Sequence, residues 1–269
     1  MKFGGASVAH PAQFAQIAEI IANRHSKAHV VVVVSAMGDT TNQLLSLARQ
    51  VHPSPPPREL DMLLTTGERV SIALLAMALH SKGKDAISFT GSQSGIITTP
   101  CHFDARIIDV RPHRLQQQLD LGKVVIVAGF QGVSTRGEIT TLGRGGSDTT
   151  AVALAVALGA SCVEFYKDVP GICSDDPKMD PSASVFPYLS YDEALAVVLK
   201  GAKVLHPRCI QLAAQNGVNL HVRSFFDVDL KESLGTRIGL SRPGPVSASR
   251  GNADFGKAGR ACCYEIEEG

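Results

Sequence analysis

The chain has 269 residues, enough for one large α/β domain or two small ones, and 44% apolar residues promise a real core. A formal net charge of +1 supplies no field for nucleic acid or acidic membranes, and 5% aromatic content without Trp offers no base-stacking platform. No run is read as membrane-spanning, no secretory leader is read at the N-terminus, and none of the six cysteines forms a C-x-x-C pair. These features predict a cytoplasmic protein with reduced thiols, and Cys262-Cys263 is read as incidental, with no metal site expected.

In chain order, Phe14, Ile17, Ile20 and Ile21 fall on one face of a helix over residues 11–24. Five consecutive valines at 30–34 are β-branched and few, as in a parallel strand buried on both faces. A polar loop over 35–41 leads to a helix beginning near Asn42, and the proline-rich stretch 52–57 reads as a stiff surface loop. Residues 59–80 read as one helical region and 86–89 as a short strand, followed by a Gly/Ser/Thr stretch through Thr99. Residues 123–128 are a second parallel-type strand, and 132–141 alternate like a β-hairpin. An alanine-rich helix over 147–158 precedes a strand at 163–166, helices at 191–199 and 207–216, and a strand at 220–223. Strands alternating with helices predict an α/β fold, its mostly parallel sheet covered on both faces. From about Ser241 the periodicity is lost, so residues 1–240 are expected to form one domain and 241–269 a disordered tail.

Two glycine-rich segments carry the chemistry: Lys2-Phe3-Gly4-Gly5, and Gly143-Arg144-Gly145-Gly146-Ser147-Asp148. Glycine lets backbone N–H groups approach an anion closely, and the neighbouring charged residues suit phosphoryl transfer, which is mostly positioning and charge neutralisation. Neither segment is a Walker A loop or a G-x-G-x-x-G fingerprint, and Gln93 occupies the serine position of an apparent nucleophile elbow. The pair of segments therefore favours a small-molecule kinase.

Seven segments in unbroken order carry a more specific resemblance. They are Lys2-Phe3-Gly4-Gly5-Ala6-Ser7-Val8, the run from Val33 through Ser35-Ala36-Met37-Gly38-Asp39-Thr40-Thr41-Asn42, and Leu64-Thr65-Thr66-Gly67-Glu68-Arg69. Phe89-Thr90-Gly91-Ser92-Gln93, Thr141-Leu142 with the second glycine segment, Asp168-Val169-Pro170-Gly171-Ile172 and Gly201-Ala202-Lys203-Val204-Leu205-His206-Pro207 complete the set. Over about residues 1–240 the chain resembles the amino acid kinases, and among them the aspartate kinases of actinobacteria.

The resemblance implies a three-layer α/β/α sandwich and transfer of the γ-phosphoryl group of ATP, with Mg²⁺, to the side-chain carboxylate of L-aspartate. It implies that Lys2 contacts the terminal phosphates, that Gly4, Gly5, Gly145 and Gly146 present N–H donors, and that Asp148 orients the lysine. Ser147 would sit at a helix start, Arg144 would hold a substrate carboxylate, and Thr41 and Glu68 would contact the amino acid, Glu68 through its ammonium group. Lys167, Asp168, Cys173, Lys178 and Lys203 fall at nucleotide positions. A homodimer is expected. A kinase for another acid and a non-catalytic amino-acid-binding homologue stand as alternatives. His206 reads as structural, Tyr166 as core or pocket, and Asp175, Asp176 and Asp180 as a solvated cluster.

The sequence departs from the family pattern in three ways. Only Met1 precedes Lys2, which shortens the expected central strand and its support of the lysine. Cys173 stands where tyrosine is usual, Lys167 where a small hydroxyl residue is, and Lys178 where arginine is; together these predict weakened ATP binding. The chain also ends where paired ACT regulatory domains usually follow, so feedback through such domains is not expected.

Overall fold

The computed structural model describes residues 1–175, 180, 182–226 and 235–240. The central sheet has eight strands: β1 (Lys2–Phe3), β2 (Val31–Val34), β3 (Ala86–Phe89), β6 (Val124–Ala128), β9 (Cys162–Lys167), β10 (Tyr188–Leu189), β11 (Asn219–Ser224) and β12 (Thr236–Ile238). Their order is β10-β12-β11-β9-β1-β2-β6-β3, and only the β11–β12 pair is antiparallel.

Because successive side chains on a strand face opposite ways, the sheet feeds two cores. Val33, Val125, Val127 and Phe165 point to one face, which is covered by α5 (His113–Asp120), α6 (Gly146–Leu158), α7 (Tyr191–Leu199) and α8 (Pro207–Asn216). Phe3, Val32, Val34, Ile126 and Tyr166 point to the other, under α1 (Pro11–His25) and α4 (Thr66–Ser81). The result is the expected α/β/α sandwich. Tyr166 belongs to the core: it is fully buried, and its ring stacks on Phe3 at 4.7 Å.

Three local features differ from the sequence expectation. The region 59–80 is two helices, α3 (Pro57–Leu64) and α4, meeting at Thr65. Pro57 opens α3 rather than ending a loop, which suits a residue without an N–H to satisfy. The run Pro57–Ser81 is long and apolar enough to cross a membrane by composition alone, contrary to the expectation that none is, but Ile72, Leu75 and Leu79 of α4 lie in the core. Finally, β7 (Gln131–Ser134) and β8 (Ile139–Thr141) form the expected hairpin, yet belong to a second sheet ordered β5-β4-β7-β8, with β4 (Ile96–Thr98) and β5 (Ile107–Val110). The tail 241–269, with Cys262-Cys263, lies outside the described residues.

Candidate active site

β1 is two residues long, yet it is paired on both sides: Lys2 is in register with Val33 of β2 and Phe165 of β9. The chain turns to β2, β6 and β3 on one side and to β9 and β11 on the other. This reversal of strand order leaves a crevice at the carboxyl ends of the strands, where ligands of open α/β sheets bind. Gly4 and Gly5 follow β1 there, Ser35 to Gly38 follow β2, and Lys167 ends β9.

Register decides which side chains meet. Lys2 shares the sheet face of Val33 and Phe165, the face covered by α6, whose first turn carries Asp148. Lys2 Nζ lies 2.6 Å from Asp148 Oδ1, both side chains being nearly inaccessible. Two residues beyond Phe165, Lys167 returns to the same face, and its Nζ lies 3.2 Å from the other carboxylate oxygen, Oδ2. Burial alone would raise the Asp148 carboxyl; the two ammonium groups overcome it and hold the acid below its ordinary value. Burial lowers Lys2, with Lys167 adding to the fall and Asp148 opposing it.

The loop beneath this cluster depends on Gly145. Its φ of +73° is the left-handed conformation, and a Cβ there would lie 2.2 Å from the His206 ring. His206 in turn caps α8, its Nδ1 accepting from the Arg208 N–H at 3.3 Å, the structural part expected of it. Gly146 and the buried Ser147 open α6, and Ser147 packs against Gly129 past the end of β6. Arg144 projects outward, exposed and without an ion pair among the described residues.

A second polar centre adjoins the first through the backbone. Gly67, in the first turn of α4, has no Cβ; one would lie 2.8 Å from the Ala36 Cβ. That close approach lets Glu68, 2% exposed, accept the Ala36 N–H through Oε1 at 3.1 Å. Its Oε2 is buried without a hydrogen-bond partner, and burial pushes its pKa up to about 7. Ala36 O would in turn lie 3.2 Å from a Cβ on Gly5, so Glu68 and Lys2 are linked through Ala36, Gly5 and Gly4. Thr41 is half-buried near the start of α2 (Thr40–Val51).

The remaining sequence-selected residues are not drawn into this cluster. Asp168 and Lys203 are exposed; Cys173 is half-buried, its Sγ directed at the Gly171 carbonyl. Lys178 and Asp176 lie outside the described residues, while Asp175 is exposed and Asp180 accepts from Ser182 at 2.7 Å. Sequence reasoning also missed Asp61 of α3. It is fully buried, accepting from Thr141 Oγ1 at 2.6 Å and the Phe103 N–H at 3.2 Å, and paired with His102 Nδ1 at 2.7 Å. Its position three residues before Leu64, on the buried face of an amphipathic helix, was the available signal.

A family model described as the amino acid kinase family matches residues 1–224. The chain belongs to that family. Among its relatives, the aspartokinase of Mycobacterium tuberculosis (strain H37Rv) is 56% identical over 227 residues, 84% of this chain and 54% of the relative. The chain thus spans about half the length of the curated relatives it matches. Aspartate kinase from Synechocystis superposes with a TM-score of 0.78 at 46% identity, covering 89% of this chain and 39% of that one. Aspartokinase III of E. coli, solved with aspartate and ADP, gives a TM-score of 0.80 at 27% identity, over 91% and 65% of the two chains.

Proposed function

We propose that this amino acid kinase transfers the γ-phosphoryl group of ATP to the side-chain carboxylate of L-aspartate, with residues 1–240 as the catalytic unit. The observation that carries the reading is a pair of unbalanced buried centres joined by a glycine turn. Lys2, Asp148 and Lys167 together hold an excess of positive charge, while Glu68 presents a carboxylate oxygen with no donor. A polyphosphate balances the first and an ammonium group the second. The Gly4 backbone lies open beside this lysine: apart from its chain neighbours, Lys2 Nζ, at 3.6 Å, is the one described atom within 4 Å of where a Cβ would stand, which suits an anion taken up by both.

In the reaction, an oxygen of the aspartate side-chain carboxylate forms the new bond to the γ-phosphorus. The bond from that phosphorus to the β,γ-bridging oxygen breaks, and its electron pair leaves with ADP. No proton need move, so the protein's task is to bind, align and neutralise. Lys2 stabilises charge on the transferred group, Asp148 fixes Lys2, and N–H groups of Gly4, Gly5, Gly145 and Gly146 line the phosphates. Glu68 takes the substrate ammonium and Arg144 a carboxylate, with Thr41 beside the amino acid. Among the described residues no group of three or more His, Cys, Asp or Glu could hold a metal; Mg²⁺ would be carried on the phosphates, whose charge it neutralises.

Two further parts of this reading concern the setting. The four described cysteines are free thiols, which suits the cytoplasm. A homodimer is the assembly that goes with this reading.

The test is MgATP-dependent formation of an acyl phosphate from L-aspartate, trapped as a hydroxamate, beside other acids and a Lys2→Ala control. Product from aspartate that vanishes in the control is expected. Product only from another acid would reassign the substrate, and none from any acid, with folded protein, would make the chain a binding protein.

A further inference from the structure

Asp148 has two lysines, and the second, Lys167, is the one that stands where the family pattern has a small hydroxyl residue. Lys203 is exposed and forms no ion pair among the described residues, whereas Lys167 Nζ sits 3.2 Å from Asp148 Oδ2. The Lys167 side chain is only 16% accessible, with its ammonium 5.9 Å from the centre of the Phe165 ring on the same sheet face. One carboxylate cannot neutralise two ammonium groups. No other Asp or Glu pairs with either lysine among the described residues. The other titratable groups near the carboxylate come from α8 and its cap, Cys209 and His206. Burial pushes the Cys209 thiol up and the His206 imidazolium down, so both stay neutral and neither supplies the missing negative charge.

We propose that Lys167 is a second phosphate-binding residue of this chain, which shares the terminal phosphates of a nucleoside triphosphate with Lys2. The inference rests on the ATP-dependent reading of the site. A lysine is a point charge on a flexible stem, so either ammonium can turn to an arriving anion while Asp148 keeps the other. As a departure from the family pattern, Lys167 is expected to weaken nucleotide binding; its seat on Asp148 points the opposite way. It also explains how two closely placed ammonium groups tolerate a single carboxylate: the cluster is complete only with a polyphosphate on it.

The experiment is calorimetric titration of the whole chain with AMP, MgADP and MgATP, without aspartate, in wild type, Lys167→Met and Lys167→Arg. Lys167→Ser replaces the methionine variant should that one fail to fold. Loss of the charge should weaken MgATP binding at least about tenfold, as expected for a charge-assisted contact, leave AMP unchanged, and be largely reversed by arginine. Equal losses for all three nucleotides, or no loss for MgATP, would overturn the proposal, as would a wild type that binds none of them. The hydroxamate assay separates the two readings. Wild type that shows this binding pattern but phosphorylates no aspartate would end the aspartate assignment and keep Lys167 in its role. Aspartate phosphorylation with an unchanged KM for ATP in Lys167→Met would do the reverse.

Discussion

On each face of strand β9 a carboxylate is held between two cations, and the two clusters are built differently. On the α6 face, Asp148 lies between the ammonium groups of Lys2 and Lys167. On the α1 face, Glu164 lies between the guanidinium groups of Arg24 and Arg223 and also accepts from Tyr166 Oη at 3.0 Å. Arg24 grips Glu164 with two nitrogens, Nε at 3.1 Å from one oxygen and Nη2 on the other. Planar forks lock a geometry, whereas lysines leave it adjustable. The lysine cluster also lies at the carboxyl end of β1, beside Gly4 and Gly5. The same charges thus make a fastener on one face and, on the proposed reading, a ligand seat on the other.

Substituting within each cluster should separate the two roles. Lys2→Met is expected to lower kcat by about a thousandfold, the loss typical of a donor aimed at developing charge, with little change in the urea midpoint. Retention of a tenth of the activity would remove Lys2 from the chemistry. Glu164→Gln should act oppositely: about 3 kcal/mol of stability lost in urea melts at pH 7, with kcat and KM unaltered. Burial opposes ionisation of Glu164, but Arg24 and its other cationic neighbours prevail and lower its pKa. A lowered acid contributes stability above its unfolded value, 4.5, that is lost as pH falls through the folded value. The gap between wild type and Glu164→Gln should therefore close in acid; a gap constant from pH 7 to pH 3 would mean lost packing instead.

Glu68 sharpens the contrast, since it is a buried carboxylate with no cation. Its pKa is raised to about 7, so its ionisation works against folding: the low-pH stability is lost as pH rises from the unfolded value, 4.5, through the folded one. Glu68→Gln should accordingly stabilise the ligand-free protein at pH 8 by about 2 kcal/mol while weakening aspartate binding about tenfold or more. Wild-type KM for aspartate should fall between pH 6 and pH 8, because only the ionised carboxylate receives an ammonium group. Thermal melts and a pH series of KM check both; a variant less stable than wild type at pH 8 would show that Glu68 has a partner already.

Much of this is legible in the sequence, and the gaps have physical causes. Runs such as 30–34 and 124–128 announce themselves because a strand buried on both faces must be continuously apolar. The three residues of β4 and the two of β10 are too short to show a period, and β4 is hidden in a Gly/Ser/Thr stretch. The break at Thr65 follows from tertiary packing, the close approach of Gly67 to Ala36, which no local pattern encodes. Within the site, Lys2 and Asp148 stand out by motif. That Lys167 reaches the same carboxylate depends on β1 and β9 being neighbours, and strand order is not written in either segment.

The loop between β4 and β5 offers the finest version of the comparison, because it is tied down at two points by unlike acids. Asp61 is wholly buried and takes three groups, His102, the Phe103 N–H and Thr141. Asp104 is largely exposed and accepts Arg208 Nη1 at 2.8 Å beside Gly143, and the Arg208 hydrogen bond lowers its pKa. An exposed pair is screened by water, so Asp104→Asn should cost less than about 1 kcal/mol at pH 7. That difference should disappear as pH falls below the unfolded value, 3.8, through the folded one. Asp61→Asn should cost clearly more, since it strands buried donors and acceptors in an apolar setting. Urea midpoints of the two variants decide it. Equal losses would mean that the loop, the Gly143 turn and the start of α8 come apart as a single unit, with the exposed pair as firm a hold as the buried one.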